Sequence, residues 1–260
     1  MKERVFHALS AIWSLVYPLL IYEAVTEILI IGIQLVLGEI PDNRVLAVTA
    51  LAALLSAMPL GAIYMLQIYP YVMRSRRGQY GDRLDPTIWW VIPAGIGACC
   101  FMNIVVGLLN ITTPSYEETS RFLYQPSVSV QIICMAVIIP LTEELVFRGI
   151  GFFSVRRWLS FWPAALVTAF FFALFHGNLP QGIYAFVLGL LLAFCCERYR
   201  SLLASWLLHA AANLTSVVIS GLPETVWQRT GPALFGLMLF GGFSLLVIAF
   251  YMMREDGSTT

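Results

Sequence analysis

Charge is scarce in this sequence: acidic and basic side chains make up 12% of its 260 residues, 15 of each sign. A soluble domain covers its surface with such groups and typically carries about 25%. That scarcity excludes a soluble enzyme, and a formal net charge of zero excludes a nucleic-acid binder, which needs a basic excess. No metal-type Cys-x-x-Cys spacing occurs. The five cysteines, Cys99, Cys100, Cys134, Cys195 and Cys196, lie inside apolar runs and read as small packing residues. His-Glu-x-x-His is missing, and no spacing sets a serine or cysteine beside a histidine. There is no internal repeat, low-complexity tract or soluble segment, so residues 1–260 are expected to form a single transmembrane domain.

What is there is hydrocarbon: 59% of the residues are hydrophobic and mean hydropathy is +0.81. A helix needs about 20 apolar residues to cross the bilayer core. Runs at 8–37, 45–73, 88–111, 128–153, 162–179, 181–197, 202–221 and 231–252 meet that length or approach it. The expected fold is therefore all-α, a polytopic bundle of about eight transmembrane helices. The first run is too long for a signal peptide and contains Glu23 and Glu27, so it is expected to be an uncleaved span.

Basic residues alternate between loops. Lys2, Arg4, Arg74, Arg76, Arg77, Arg83, Arg156, Arg157, Arg198, Arg200 and Arg254 fall at one side, and Arg44, Arg121 and Arg229 at the other. By the positive-inside rule both termini are cytoplasmic. A compact chain of this kind fits a bacterial inner (plasma) membrane, with the lipid bilayer as its first partner. The Arg74–Arg83 loop reads as a topology anchor before a site for anionic headgroups.

Against that background Glu143, Glu144 and Arg148 need a reason. A charged side chain at the bilayer centre costs about 2.5–3.5 kcal/mol, so such groups face cavities or one another. Glu144 and Arg148, four apart, can pair along one helix face, while Glu143 points about 100° away. Two of the three histidines, His176 and His209, also lie in apolar runs, and His209 shares a face with Asn213. Counted from the basic end, Glu143 and His176 each lie about 20 Å along their helices and His209 about 14 Å. The first two can meet, and a cavity there is expected to open toward the basic side. Glu23 and Glu27, also four apart, read either as an accessory cavity wall or proton path, or as a polar stripe turned into the bundle; the stripe is the favoured reading.

In that order, Glu-Glu-x-x-x-Arg (Glu143, Glu144, Arg148), Phe-x-x-x-His (Phe172, His176) and His-x-x-x-Asn (His209, Asn213) resemble the three motifs of the CPBP family of intramembrane proteases. That family takes in CAAX prenyl endopeptidases and bacteriocin-processing or self-immunity proteins. The resemblance covers about residues 128–215, the expected catalytic core. It implies eight helices around an intramembrane polar cavity and a peptide or membrane-protein substrate.

On that reading water is the nucleophile and Glu143 the general base, with His176 holding the water. His209 and Asn213 stabilise the oxyanion, and Glu144, Arg148 and Phe172 support them. No cofactor is then needed. The alternative is a zinc-dependent protease in which His176, His209 and Glu143 bind the ion; the metal-free form is preferred because Asn213 is a better donor than ligand. A non-catalytic immunity or peptide-binding protein, and more remotely an ion or proton transporter, stand as readings of another class.

Overall fold

The structure is a computed structural model that describes residues 2–80 and 85–254, with side chains excluded at 2–8, 11 and 77–80. Among the described residues it contains helices and no strand. The helices are α1 (Lys2–Leu37), α2 (Asp42–Arg76), α3 (Pro86–Leu108), α4 (Pro114–Tyr124), α5 (Val128–Val155), α6 (Phe161–Phe175), α7 (Leu179–Tyr199), α8 (Leu202–Ser220) and α9 (Glu224–Arg254). Seven of them are long and apolar enough to cross a membrane, counting Ile12–Leu37 of α1.

The expected span at 162–179 is shorter than the sequence suggested. α6 stops at Phe175, about 22 Å at 1.5 Å per residue, against a core of about 30 Å. Gly177 takes φ +69°, which a glycine adopts without steric cost. The Asn178 side chain then accepts the Gln181 N–H at 3.1 Å and caps α7. α6 and α7 thus form a hairpin with His176 at its turn. α1 runs unbroken through Pro18.

Glycines let the central helices close up. A Cβ on Gly95 of α3 would stand 2.3 Å from the Leu208 carbonyl of α8, and one on Gly97 would stand 2.7 Å from the Gly242 carbonyl of α9. Small residues at such crossings let backbones approach where lipid gives no hydrophobic drive to association. α5 is irregular: π-helical turns at Ile132–Ile138 and Leu145–Phe152 flank an α-helical segment, Ile139–Glu144, that contains Pro140. Such turns are frequent at functional sites, and here they bracket the two glutamates.

One end of the bundle is tied by basic side chains. Arg156 at the end of α5 makes a two-pronged pair with Glu197 of α7 at 2.8 and 2.6 Å, and Arg200 joins at 2.8 Å. Arg198 meets Asp85 before α3 at 2.8 Å and donates to the Met253 carbonyl of α9 at 2.7 Å. Arg157 donates to the Gln67 carbonyl of α2 at 2.7 Å. Four of the basic residues sorted to one side by sequence, Arg156, Arg157, Arg198 and Arg200, therefore gather at one end. Arg83 lies outside the described residues, as do the side chains of Lys2, Arg4 and Arg77.

Candidate active site

Glu143 and Glu144 sit at the end of the Ile139–Glu144 segment and diverge. Glu144 is fully buried and turns toward α7 and α8. Its Oε1 accepts from Arg148 Nη1 at 3.0 Å and pairs with His209 Nδ1 at 2.9 Å. Sequence spacing exposed the first of these bonds but not the second, which joins residues 65 apart on different helices. Arg148, also fully buried, reaches the Gly189 carbonyl at 3.4 Å, and its Cζ lies 4.2 Å from the Phe172 ring centroid. A side chain on Gly189 would come within 3.2 Å of that guanidinium, so the glycine makes room for it.

Phe172 is a wedge among the polar groups. Its ring meets His176 edge-on at 4.9 Å and His209 at 5.7 Å between centroids. The His176 Nδ1 lies 2.8 Å from the Phe172 carbonyl; a carbonyl only accepts, so Nδ1 carries the proton and Nε2 is free. By the same argument the His209 Nδ1–H donates to Glu144, leaving Nε2 directed at Glu143 Oε2, 3.8 Å away. The Asn213 amide donates to the Met135 carbonyl of α5 at 2.8 Å and keeps one N–H to spare.

Glu143 makes no hydrogen bond among the described residues and is 7% exposed. It faces a cavity of about 630 Å³ whose lining also includes His176, His209 and Asn213. The four side chains proposed from sequence therefore share one pocket, while Glu144 and Arg148 lie behind it. Sequence reasoning missed Tyr22 of α1, whose hydroxyl stands 3.3 Å from Thr142 Oγ1 and which lines the same pocket.

Two expectations are corrected. The cavity does not run toward the basic end: its walls include Asn110, Thr112, Tyr116, Thr119 and Tyr124, the link after α3 and helix α4, and none of the arginines. The Glu144–Arg148–Phe172 layer fills the space on the basic side. Glu23 and Glu27 are likewise no stripe buried in the bundle; both are exposed and line the cavity, which is the accessory-wall reading.

Residues 125–215 match the family model described as Type II CAAX prenyl endopeptidase Rce1-like, a segment that contains all three motifs. The chain is also 24% identical over 187 residues, 70% of its length and 76% of the relative's, to the "Putative membrane peptidase YdiL" of Bacillus subtilis (strain 168). No solved structure matches it. The chain is an all-α integral membrane protein, and the stretch that resembles the Rce1-like model, residues 125–215, is the one that carries its three motifs.

Proposed function

We propose that the chain hydrolyses a peptide bond of a peptide or membrane-anchored protein with a water activated by Glu143. One observation carries this reading: a buried carboxylate without a hydrogen bond faces a cavity that it shares with two histidines and an asparagine amide. Glu143 takes a proton from the water as its oxygen attacks the scissile carbonyl carbon. The carbonyl π pair moves onto oxygen, where His209 Nε2–H and the spare Asn213 N–H donate to it; losing one such donor typically costs about 10²–10³ in rate. His176 Nε2 accepts the water's second hydrogen and orients it. Glu143 then passes its proton to the amide nitrogen as the C–N bond breaks, giving a carboxyl and an amine.

The mechanism starts from ionised Glu143 and doubly protonated His209. Glu143, Glu144, Arg148 and His209 are all buried, and in that form their charges cancel. In that form base and oxyanion donor are ready together, and the low-dielectric site carries no unpaired charge.

Zinc fits the donor set poorly. Nδ1 of each histidine is bonded to an oxygen, an arrangement that leaves Nε2 able to ligate a metal, but among the described residues no three His, Cys, Asp or Glu groups surround a common point. The proposed mechanism runs through the side chains alone. Stoichiometric zinc in purified protein, with activity lost on chelation, would overturn it.

We assign the protein to a bacterial plasma membrane with both termini cytoplasmic, on the strength of its basic end. The test of function is comparative terminal proteomics of cells carrying wild-type or Glu143→Gln protein. New peptide termini are expected only with wild type, at equal protein levels. Identical termini with both proteins, together with full biological function of the variant, would instead favour a non-catalytic peptide-binding role.

A further inference from the structure

The walls of the cavity carry more negative charge than the hydrolytic reading uses. Glu23 and Glu27 of α1 line it together with Glu143, and no lysine or arginine does so among the described residues. Arg148, the cation nearest in sequence, is fully buried behind the pocket against Glu144. Neither Glu23 nor Glu27 makes a hydrogen bond among the described residues, and both are exposed to the pocket. Glu143 itself, nine-tenths buried and aimed into the same space, has no hydrogen-bond partner, its nearest charged neighbour being His209 Nε2 at 3.8 Å.

The relative placement is fixed by one contact. Tyr22, the residue before Glu23, meets Thr142, the residue before Glu143, at 3.3 Å, so α1 passes the Glu143 segment at this level, and Glu23 and Glu143 line the same cavity. Glu27 lies one turn further along α1, about 6 Å toward α4. An extended peptide advances about 3.4 Å per residue. An extended strand bound between Glu143 and the α4 mouth would pass the two carboxylates over about two residues.

Carboxylates at membrane depth attract a cation and repel an anion with little screening. We propose that Glu23 and Glu27 form an acidic subsite that selects a substrate segment with a lysine or arginine within about two residues of the scissile bond, on the side facing α4. A free C-terminal carboxylate in that position would meet the like charges of Glu23 and Glu27, with no lysine or arginine on the wall among the described residues. The favoured substrate is thus the interior of a cationic segment rather than an anionic chain end. This inference rests on the hydrolytic reading for its scissile bond but not for its charge preference.

The test uses the full-length protein in lipid nanodiscs and internally quenched peptides. Each has an apolar core with Lys, Ala or Glu at successive positions on either side of its centre and an amidated or free C-terminus. Wild type is expected to prefer Lys to Glu by about tenfold or more in kcat/KM, the scale on which like-charge contacts discriminate. In Glu23→Gln/Glu27→Gln the Lys-to-Glu ratio should fall toward one, and in Glu27→Lys it should invert, the inversion also showing that the variant is folded. The same peptides, fluorescently labelled, are titrated against Glu143→Gln with and without the two α1 changes, reading binding apart from turnover. Cleavage with a Lys-to-Glu ratio unchanged by the α1 variants, or a wild-type preference for free C-termini, overturns the subsite and leaves hydrolysis standing. Lys-selective binding lost in the α1 variants without any cleavage upholds the subsite and overturns hydrolysis. Neither binding nor cleavage of any peptide overturns both.

Discussion

Glu144 and Glu143 are adjacent in sequence and opposite in role. Glu144 holds Arg148 and His209 from a fully buried position, while Glu143 faces the cavity. Removing the Glu144 charge leaves the Arg148 guanidinium buried with the Gly189 carbonyl and the Phe147 and Phe172 rings and no anion to pair with. Breaking one side of a buried pair costs about 3–5 kcal/mol. Glu144→Gln is therefore expected to lower the thermal stability of the detergent-solubilised protein sharply, whereas Glu143→Gln should melt close to wild type and lose only activity. Parallel melting curves of the two variants check this; equal destabilisation would show that Glu143 also holds the bundle. The His209 bond gives Glu144 a second duty, since it sets which ring nitrogen faces Glu143.

At the scale of elements, the start of α3 and the ends of α7 and α9 meet in the Asp85–Arg198 pair and the Arg198 bond to the Met253 carbonyl. Partial burial by itself would raise the Asp85 carboxyl. The Thr87 hydroxyl at 2.7 Å, the Thr87 N–H at 2.9 Å and the Arg198 charge together outweigh it and hold the carboxyl below its ordinary value of 3.8. A carboxyl lowered on folding adds stability above the ordinary value, and that contribution is lost as pH falls through the lower folded value. The melting temperature of wild type should exceed that of Asp85→Asn at neutral pH, and the gap should close below pH 3.8. A gap independent of pH would mean that the link acts through packing and not through charge. The pair is partly exposed, so high salt should narrow the gap as well.

Over the whole molecule, the polar cavity and the basic cluster lie at opposite ends. On the proposed orientation, with the termini cytoplasmic, the cavity would be reached from the far side of the membrane, past α4. Thr119 lines the cavity and is half-buried. Thr119→Cys, in a background lacking the five native cysteines, should react with a membrane-impermeant maleimide added to intact cells. The same variant in inverted vesicles should stay protected. The reverse pattern would turn the protein over in the membrane and place the acidic subsite before cytoplasmic substrates.

The sequence by itself determined the membrane class, most of the helices and four of the side chains that share the pocket, Glu143, His176, His209 and Asn213. Lipid tolerates so few charges that Glu143, Arg148, His176 and His209 stood out against apolar runs, and helical rise alone put Glu143 and His176 at one depth. Only the tertiary structure decided which way the pocket runs, that Glu144 reaches His209, and that Glu23 and Glu27 form its wall. The physical reason is that periodicity fixes which residues share a face of one helix, while helix rotation and the filling of space between helices depend on contacts far apart in the chain. The Phe172 wedge between His176, His209 and Arg148 is such a contact, as is Tyr22 against Thr142. The early stop of α6 at Phe175 is an intermediate case: Gly177 and Pro180 are local turn formers, but the run of apolar residues to 179 hid that His176 would stand at the turn itself.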